Sequence, residues 1–244
     1  MKKQLFRRML HEGKARSNRR RILLMEDLRA GYIPIPKVAS SSLRLLICQR
    51  QARHLHPELL EQSPRALQKE VERRIRISRG PAGTRRLGER YFLFAFVRNP
   101  LTRLYSCYRD KVVKAAEQGK EFSLAPWGVE PGMSFDGFVR HIARIPDSRS
   151  EQHFRSQHLL LRQGGHWMVD YLGRFENLDD DWQELSARIG LDARPKAKRS
   201  SGAGASLDGL PLGREAAELA VERYWQDIAL LGYRDEISAW LDRL

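Results

Sequence analysis

Seven consecutive apolar residues, YFLFAFV at positions 91–97, run directly into Arg98, Asn99 and Pro100. A continuous apolar run of strand length suits a central parallel strand covered on both faces. Pro100 sits where a helix tolerates proline, in its first turn, and Leu101, Leu104, Tyr105, Tyr108 and Val112 form the apolar stripe of that helix. A buried strand passing straight into a helix belongs to an open α/β sheet. Ligands of such sheets bind outside the carboxyl ends of the strands. Arg98 stands at that position.

The remaining pattern fits the same class. Residues 31–35 read as a first strand and residues 41–54 as an amphipathic helix with Leu43, Leu46 and Ile47 inward. Residues 57–90 read as a helical insertion followed by a loop around Gly80, Pro81 and Gly83. A short helix capped by Ser134, a strand within residues 167–175 and a helix over residues 178–189 follow. Residues 196–209 have the Lys, Ser and Gly content of a surface loop, and residues 213–231 form a helix ending at Gly232. Strands separated by long helical segments predict an α/β domain with a mainly parallel sheet.

Charge narrows the partners. The 244 residues carry a net charge of +14, which favours anionic ligands: a nucleotide, an acidic glycan, nucleic acid or a membrane surface. Residues 1–21 hold nine lysines and arginines against the single acid Glu12. They read either as a solvated arm or as an electrostatic arm for a polyanion or an anionic leaflet. The division expected is a basic arm over residues 1–26 and one domain over residues 27–244. Cys48 and Cys107 give no disulfide framework, and both fall in apolar helical patterns. No run approaches the roughly 18 apolar residues of a membrane span, and the basic start has no apolar segment behind it. A cytoplasmic protein is expected, with the arm suited to peripheral contact at the inner membrane face.

Two segments carry chemistry. In IPIPKVASSSLR, residues 33–44, an apolar strand ends at Ile35 and a helix opens behind Pro36, Lys37 and three serines. Bare N–H groups and the helix dipole favour an anion there. Lys37 adds a point charge, and Ser40, Ser41 and Ser42 add neutral donors. The glycines of a Walker A loop are missing. In the second segment Arg98 stands at a strand end and Ser106 lies in the second turn of the adjoining helix, placed to grip one phosphate together. Arg103 shares the Ser106 face and adds to the positive field. Two strand-to-helix anion sites suit a ligand with two separated phosphates.

On these residues the chain resembles the sulfotransferases that use 3′-phosphoadenosine-5′-phosphosulfate (PAPS), and within them the carbohydrate type related to the chondroitin and HNK-1 enzymes. Residues 36–41, PKVASS, are similar to that family's P-K-V-x-x-[ST] loop, and residues 97–111 to its V-R-[DN]-P-x-x-R-L-x-S-x-Y-R-[DN]-K segment. QHFRSQ at 152–157 is similar to H-W-R-P-Q, with Phe154 and Ser156 departing from it. DYLGRFENL at 170–178 and WQDIALLGY at 225–233 echo two further family segments. Asn99 stands where the family more often has Asp.

The resemblance implies a P-loop-like, three-layer α/β/α fold and PAPS as donor co-substrate. It places the 5′-phosphosulfate on Lys37, Val38, Ala39, Ser40, Ser41, Ser42 and Arg44, and the 3′-phosphate on Arg98 and Ser106. Lys37 would neutralise the leaving phosphate. His153 would be the base, with His158 and His166 in reserve, because an imidazole titrates near neutral pH. Arg155 and Gln157 would orient the acceptor, and Arg199 and Ser200 would close over the nucleotide. No metal is required and no ligand cluster has metal spacing. The acceptor implied is a carbohydrate, and nearby arginines point to an acidic one; no nucleic-acid partner is expected. Glu176 reads as a structural acid paired with an arginine. The competing reading is a nucleic-acid or polyanion-binding module without catalysis.

Overall fold

The computed structural model describes residues 20–79, 81–118, 123–195 and 206–244. Five strands form the main sheet: β1 (Arg20–Met25), β2 (Ala30–Tyr32), β3 (Arg76–Arg79), β4 (Phe92–Val97) and, after a two-strand hairpin of β5 (Arg162–Gln163) and β6 (His166–Trp167), β7 (Tyr171–Arg174). The spatial order is β3-β1-β2-β4-β7. Strand β2 runs parallel to β4, and β4 to β7, while β1 is antiparallel to both β2 and β3. Four strands therefore share one direction and β1 alone opposes them. The mainly parallel sheet expected is present, with one reversed strand that the sequence did not signal.

That strand also moves the domain boundary. The sequence assigned residues 1–26 to a basic arm, yet Ile22, Leu23, Leu24 and Met25 are buried in the sheet. The folded domain starts by Arg20; residues 1–19 lie outside the described part. The segment RISR (β3) was likewise read as part of a helical insertion, but it pairs with β1 through Ile77 opposite Ile22. The first expected strand, residues 31–35, is displaced by one residue and ends at Tyr32, although the Ile33 N–H still donates to the Phe94 carbonyl at 2.9 Å.

The helices follow the apolar patterning closely. The α-helices of five residues or more, among the described residues, are α1 (Ser40–Leu55), α2 (Pro64–Ile75), α3 (Pro81–Gly88), α4 (Pro100–Tyr108), α5 (Phe135–Ala143), α6 (Gln157–Leu161), α7 (Leu178–Ile189), α8 (Arg214–Arg223), α9 (Trp225–Leu230) and α10 (Arg234–Leu241). Helix α4 passes into a π-helical turn, Arg109–Val113. The Ser134 hydroxyl accepts from the Gly137 N–H and caps α5 as expected. Gly232, at φ +74°, follows the end of the helical stretch expected over residues 213–231, which breaks once at Tyr224, and α10 comes after it.

Strand β4 is the centre of the core, with Leu93 to Val97 all buried. Burying such side chains contributes about 1.5–3 kcal/mol each. Phe96 stacks on Trp182 of α7, with ring centroids 5.9 Å apart, on one face of the sheet. This is possible because Gly173 lies opposite: a Cβ there would sit 2.3 Å from the Phe96 ring. On the other face Leu93 reaches Gly88 at the end of α3. Helices thus cover both sides, as the uninterrupted apolar run requires. Cys48 and Cys107 are buried and unpaired. Among the described residues no helix is long and apolar enough to cross a membrane.

Candidate active site

The loop from β2 to α1 takes a left-handed turn twice. Lys37 has φ 71° and Ala39 φ 57°, neither of them glycine. Such a backbone costs of order 1 kcal/mol per residue and persists only where its surroundings enforce it. Here Val38, fully buried, anchors the turn in the core. The alanine at the N-cap of α1 has no side chain with which to cap the helix. The helix N-terminus and the three serines behind it therefore face a cleft of about 720 Å³.

Lys37, Ala39, Ser40, Ser41, Ser42, Arg44, Arg98, Ser106, His153 and Arg155 all line this cleft. Residues separated by more than a hundred positions meet because the loops after β2 and β4 leave the same edge of the sheet. The lining holds seven lysines and arginines (Arg21, Lys37, Arg44, Arg76, Arg98, Lys111 and Arg155) against two carboxylates, Glu72 and Asp110. The site is a cationic pocket of nucleotide size.

Arg98 is the most deeply set of these cations, 4% exposed. Its Nε donates to Thr102 Oγ1 at 3.0 Å, and its guanidinium lies 4.5 Å from the centre of the Phe175 ring. Burial lowers its pKa from the ordinary value, and the nearby Glu176 charge opposes that shift. Asn99 caps α4 by accepting from the Leu101 and Thr102 N–H groups, while its amide nitrogen donates to Glu236 at 3.2 Å. An aspartate could form the cap but not the second bond, which explains the asparagine at this position. Glu176 is structural, as expected: it accepts from the Asn99 N–H at 2.7 Å and the Tyr233 hydroxyl at 2.9 Å, and its charge acts on the Arg98 guanidinium.

Several expected contacts are redirected. Arg44 lines the cleft, but its guanidinium makes a bidentate pair with Glu72 of α2 at 2.7 and 2.6 Å. Gln157, expected to orient the acceptor, is fully buried and lines no part of the cleft. Its side chain accepts from the Arg98 N–H at 3.0 Å and donates to the Arg98 carbonyl at 2.7 Å. It fixes the strand end that carries Arg98. Val38 contributes an anchor rather than lining. Arg103 is completely buried, and its nitrogens donate to the carbonyls of Pro36, Arg155 and Gln152 at 2.9, 2.8 and 3.0 Å. It ties the Lys37 loop to the His153 segment, and its charge acts on Arg98 in the cleft as well. Arg199 and Ser200 lie outside the described residues.

The histidines separate by environment. His153 is partly exposed in the cleft, with Nδ1 at 2.9 and 2.8 Å from the two oxygens of Glu151. His158 is buried and pairs with Asp227, whose carboxylate also accepts the Gln157 and His158 N–H groups. Asp227 caps the helix that carries His158, and His158 lines no part of the cleft. His166 is exposed on the β5–β6 hairpin. Reasoning from sequence also missed Asp110, on the π-helical turn, whose carboxylate lies 3.0 Å from Lys37 Nζ. Burial by itself would raise the Asp110 pKa, but the charge and hydrogen bond of Lys37, with Lys111 and Lys114, together outweigh it and hold the carboxyl below its usual range. Asp110 stands inside the motif at 97–111 and Glu151 two residues before His153, so both were in view without a partner to assign them. Among the described residues no group of His, Cys, Asp or Glu is placed to hold a metal ion.

A model of the sulfotransferase family matches residues 20–233. The chain belongs to the sulfotransferase family. No curated protein and no solved structure matches it. The match begins at the residue where β1 begins and takes in every part of the cleft. Membership makes the protein a transferase acting in sulfuryl transfer. A cleft lined mostly by cations suits that chemistry, because sulfuryl transfer proceeds through anionic groups that need neutralisation.

Proposed function

We propose that this sulfotransferase moves the sulfuryl group of PAPS to a hydroxyl of a carbohydrate acceptor, acidic glycans of the chondroitin class being favoured. The observation that carries the reading is the pair of anion stations in one cleft: the Lys37 loop with Ser40, Ser41 and Ser42, and Arg98 with Ser106. Their placement after adjacent parallel strands supports a donor lying across the sheet edge, in the P-loop-like layering inferred from the resemblance. The 5′-phosphosulfate fits the α1 N-terminus and Lys37. The 3′-phosphate fits Arg98 and Ser106, with the Phe175 ring behind the guanidinium. The donor set is neutral hydroxyls, backbone N–H groups and fixed cations, which matches phosphate and sulfate oxygens.

His153 takes the proton from the acceptor hydroxyl as its oxygen bonds to sulfur. The sulfur–oxygen bond to the 5′-phosphate breaks, and Lys37 neutralises the charge appearing on that phosphate. Binding the donor requires Lys37 to exchange Asp110 for the phosphosulfate. Arg155 lines the acceptor side, and Arg199 and Ser200 would close from the far side of the nucleotide.

Calorimetry with 3′-phosphoadenosine-5′-phosphate tests the donor half. Binding with a Kd on the order of micromolar is expected, abolished by Lys37→Ala and Arg98→Ala. No binding at millimolar nucleotide sinks the proposal in favour of a polyanion-binding module. Transfer of label from PAPS to chondroitin oligosaccharides, with neutral oligosaccharides alongside, tests the acceptor half. Retention of full turnover by His153→Ala, with loss of it in Asp110→Asn, would move the base to Asp110.

A further inference from the structure

We propose that Glu151 is a positioning residue for His153, holding the imidazole in the tautomer whose unprotonated Nε2 is the base. The proposal rests on the reading of His153 given above. An ionised carboxylate only accepts hydrogen bonds, so the ring nitrogen facing it must carry the proton. Nδ1 faces both Glu151 oxygens, at 2.9 and 2.8 Å. The lone pair is thereby assigned to Nε2, the nitrogen left for an acceptor in the cleft that His153 lines.

The carboxylate is held by its own turn. Glu151 Oε2 accepts the His153 N–H at 2.6 Å, and the Glu151 carbonyl accepts the N–H groups of Phe154 and Arg155. Arg103 grips the carbonyls of Gln152 and Arg155 from below. The dyad is thus fixed at both ends to a buried guanidinium that also holds Pro36. The side chains are only 24% (His153) and 15% (Glu151) exposed, which limits competition from water.

The charged groups around the pair favour the ionised acid. Lys111 acts on Glu151 from the π-helical turn, and Lys37 and Asp110 lie in the same cleft. The Arg155 guanidinium donates to the Ser150 carbonyl beside the pair. Burial alone would raise the Glu151 pKa, but its hydrogen bonds to His153, with the His153 and Lys111 charges, together outweigh burial and keep the carboxyl below its ordinary range. A carboxylate behind an imidazole fixes its tautomer and stabilises the imidazolium formed as the proton arrives. His158 and Asp227 form a similar pair, but both are buried and Asp227 caps the helix that carries His158; position in the cleft separates the two dyads.

Two readouts test this on the full chain. Long-range proton–nitrogen NMR of the histidine side chains, with His153 identified by its loss in His153→Asn, reports the tautomer without any acceptor. The wild type is expected to show His153 protonated at Nδ1, Glu151→Gln a mixture, and Glu151→Asp a return toward the wild-type pattern. A wild-type ring protonated at Nε2 overturns the proposal, and so does a tautomer unchanged in Glu151→Gln. Turnover with labelled PAPS and a chondroitin oligosaccharide gives the second readout. In Glu151→Gln kcat is expected to fall about 10–100-fold, with KM for both substrates and binding of 3′-phosphoadenosine-5′-phosphate unchanged, and Glu151→Asp should recover part of the loss. Unchanged kcat overturns the positioning role. A parallel loss of nucleotide binding marks a structural defect and also counts against it. If the wild type transfers no label, the acceptor reading fails, and the tautomer alone decides the Glu151 pairing.

Discussion

Replacing Arg103 by methionine tests whether one buried guanidinium holds the cleft together. The side chain keeps comparable length and apolar volume but leaves three carbonyls, those of Pro36, Gln152 and Arg155, without their donor. Hydrogen bonds to a charged partner contribute about 1.5–3 kcal/mol each, and the three are coupled, so they do not add in full. Removing the charge also removes its desolvation cost. The net loss expected is about 3–5 kcal/mol, the range for breaking a buried charged network. Domains of this kind have about 5–15 kcal/mol in total, so the variant folds but is marginal. Arg103→Lys, which can reach one carbonyl, should recover about 1.5 kcal/mol. Urea unfolding of the three proteins gives the order wild type, lysine, methionine. Calorimetry below the transition gives the functional half: affinity for 3′-phosphoadenosine-5′-phosphate should drop about tenfold in Arg103→Met, because the Lys37 loop loses its Pro36 anchor. A stability loss under about 1 kcal/mol in Arg103→Met would refute the role assigned to the guanidinium. So would unchanged nucleotide affinity in the folded variant.

Three further outcomes follow from other parts of the molecule. Asn99→Asp keeps the helix cap but sets a carboxylate against Glu236, and should cost about 1–3 kcal/mol in chemical denaturation; the added change Glu236→Gln should restore most of it, and no rescue refutes the pairing. Cys48 and Cys107, whose thiols burial pushes up to about 12, should both resist an aromatic disulfide reagent in the native protein and both react in denaturant. Glu72, Asp110 and Glu151 are all held below their ordinary values, so each stabilises the fold above the unfolded carboxyl range and loses that contribution as pH falls through its folded value. Stability should be flat from about pH 7 to 5 and drop below about pH 4, and Asp110→Asn combined with Glu151→Gln should shrink that drop; equal slopes in both proteins refute it.

The helix over residues 178–189 emerges with the bounds read from its apolar spacing, and β4 differs by one residue from the run that announced it. Both are long or uniform enough for local pattern to decide. Strands β1 and β3 are different. RRILLM has four apolar residues behind two arginines in the most basic part of the chain, and RISR is half arginine. β3 is a strand only because β1 is beside it, a pairing more than fifty residues apart that no local pattern contains, and β1 is held between β2 and β3. The same limit governs the site. Lys37, Arg98 and Ser106 were legible because strand, turn and helix place them without help from elsewhere. Arg44 and Gln157 were assigned to ligands because their partners, Glu72 and the Arg98 backbone, are distant in sequence. Arg103 took its role from three carbonyls that only the fold brings together.

The left-handed backbone at Lys37 sets stability and chemistry against each other at a single residue. Glycine would occupy φ 71° without strain, and Lys37→Gly should relieve about 1 kcal/mol while losing only a partly exposed pair with Asp110. The variant expected to be the more robust protein is therefore the one without the cation proposed to neutralise the leaving group. Selection of this chain for heat resistance alone would drift toward glycine at residue 37, and a library screened by melting temperature would discard the enzyme while keeping the fold.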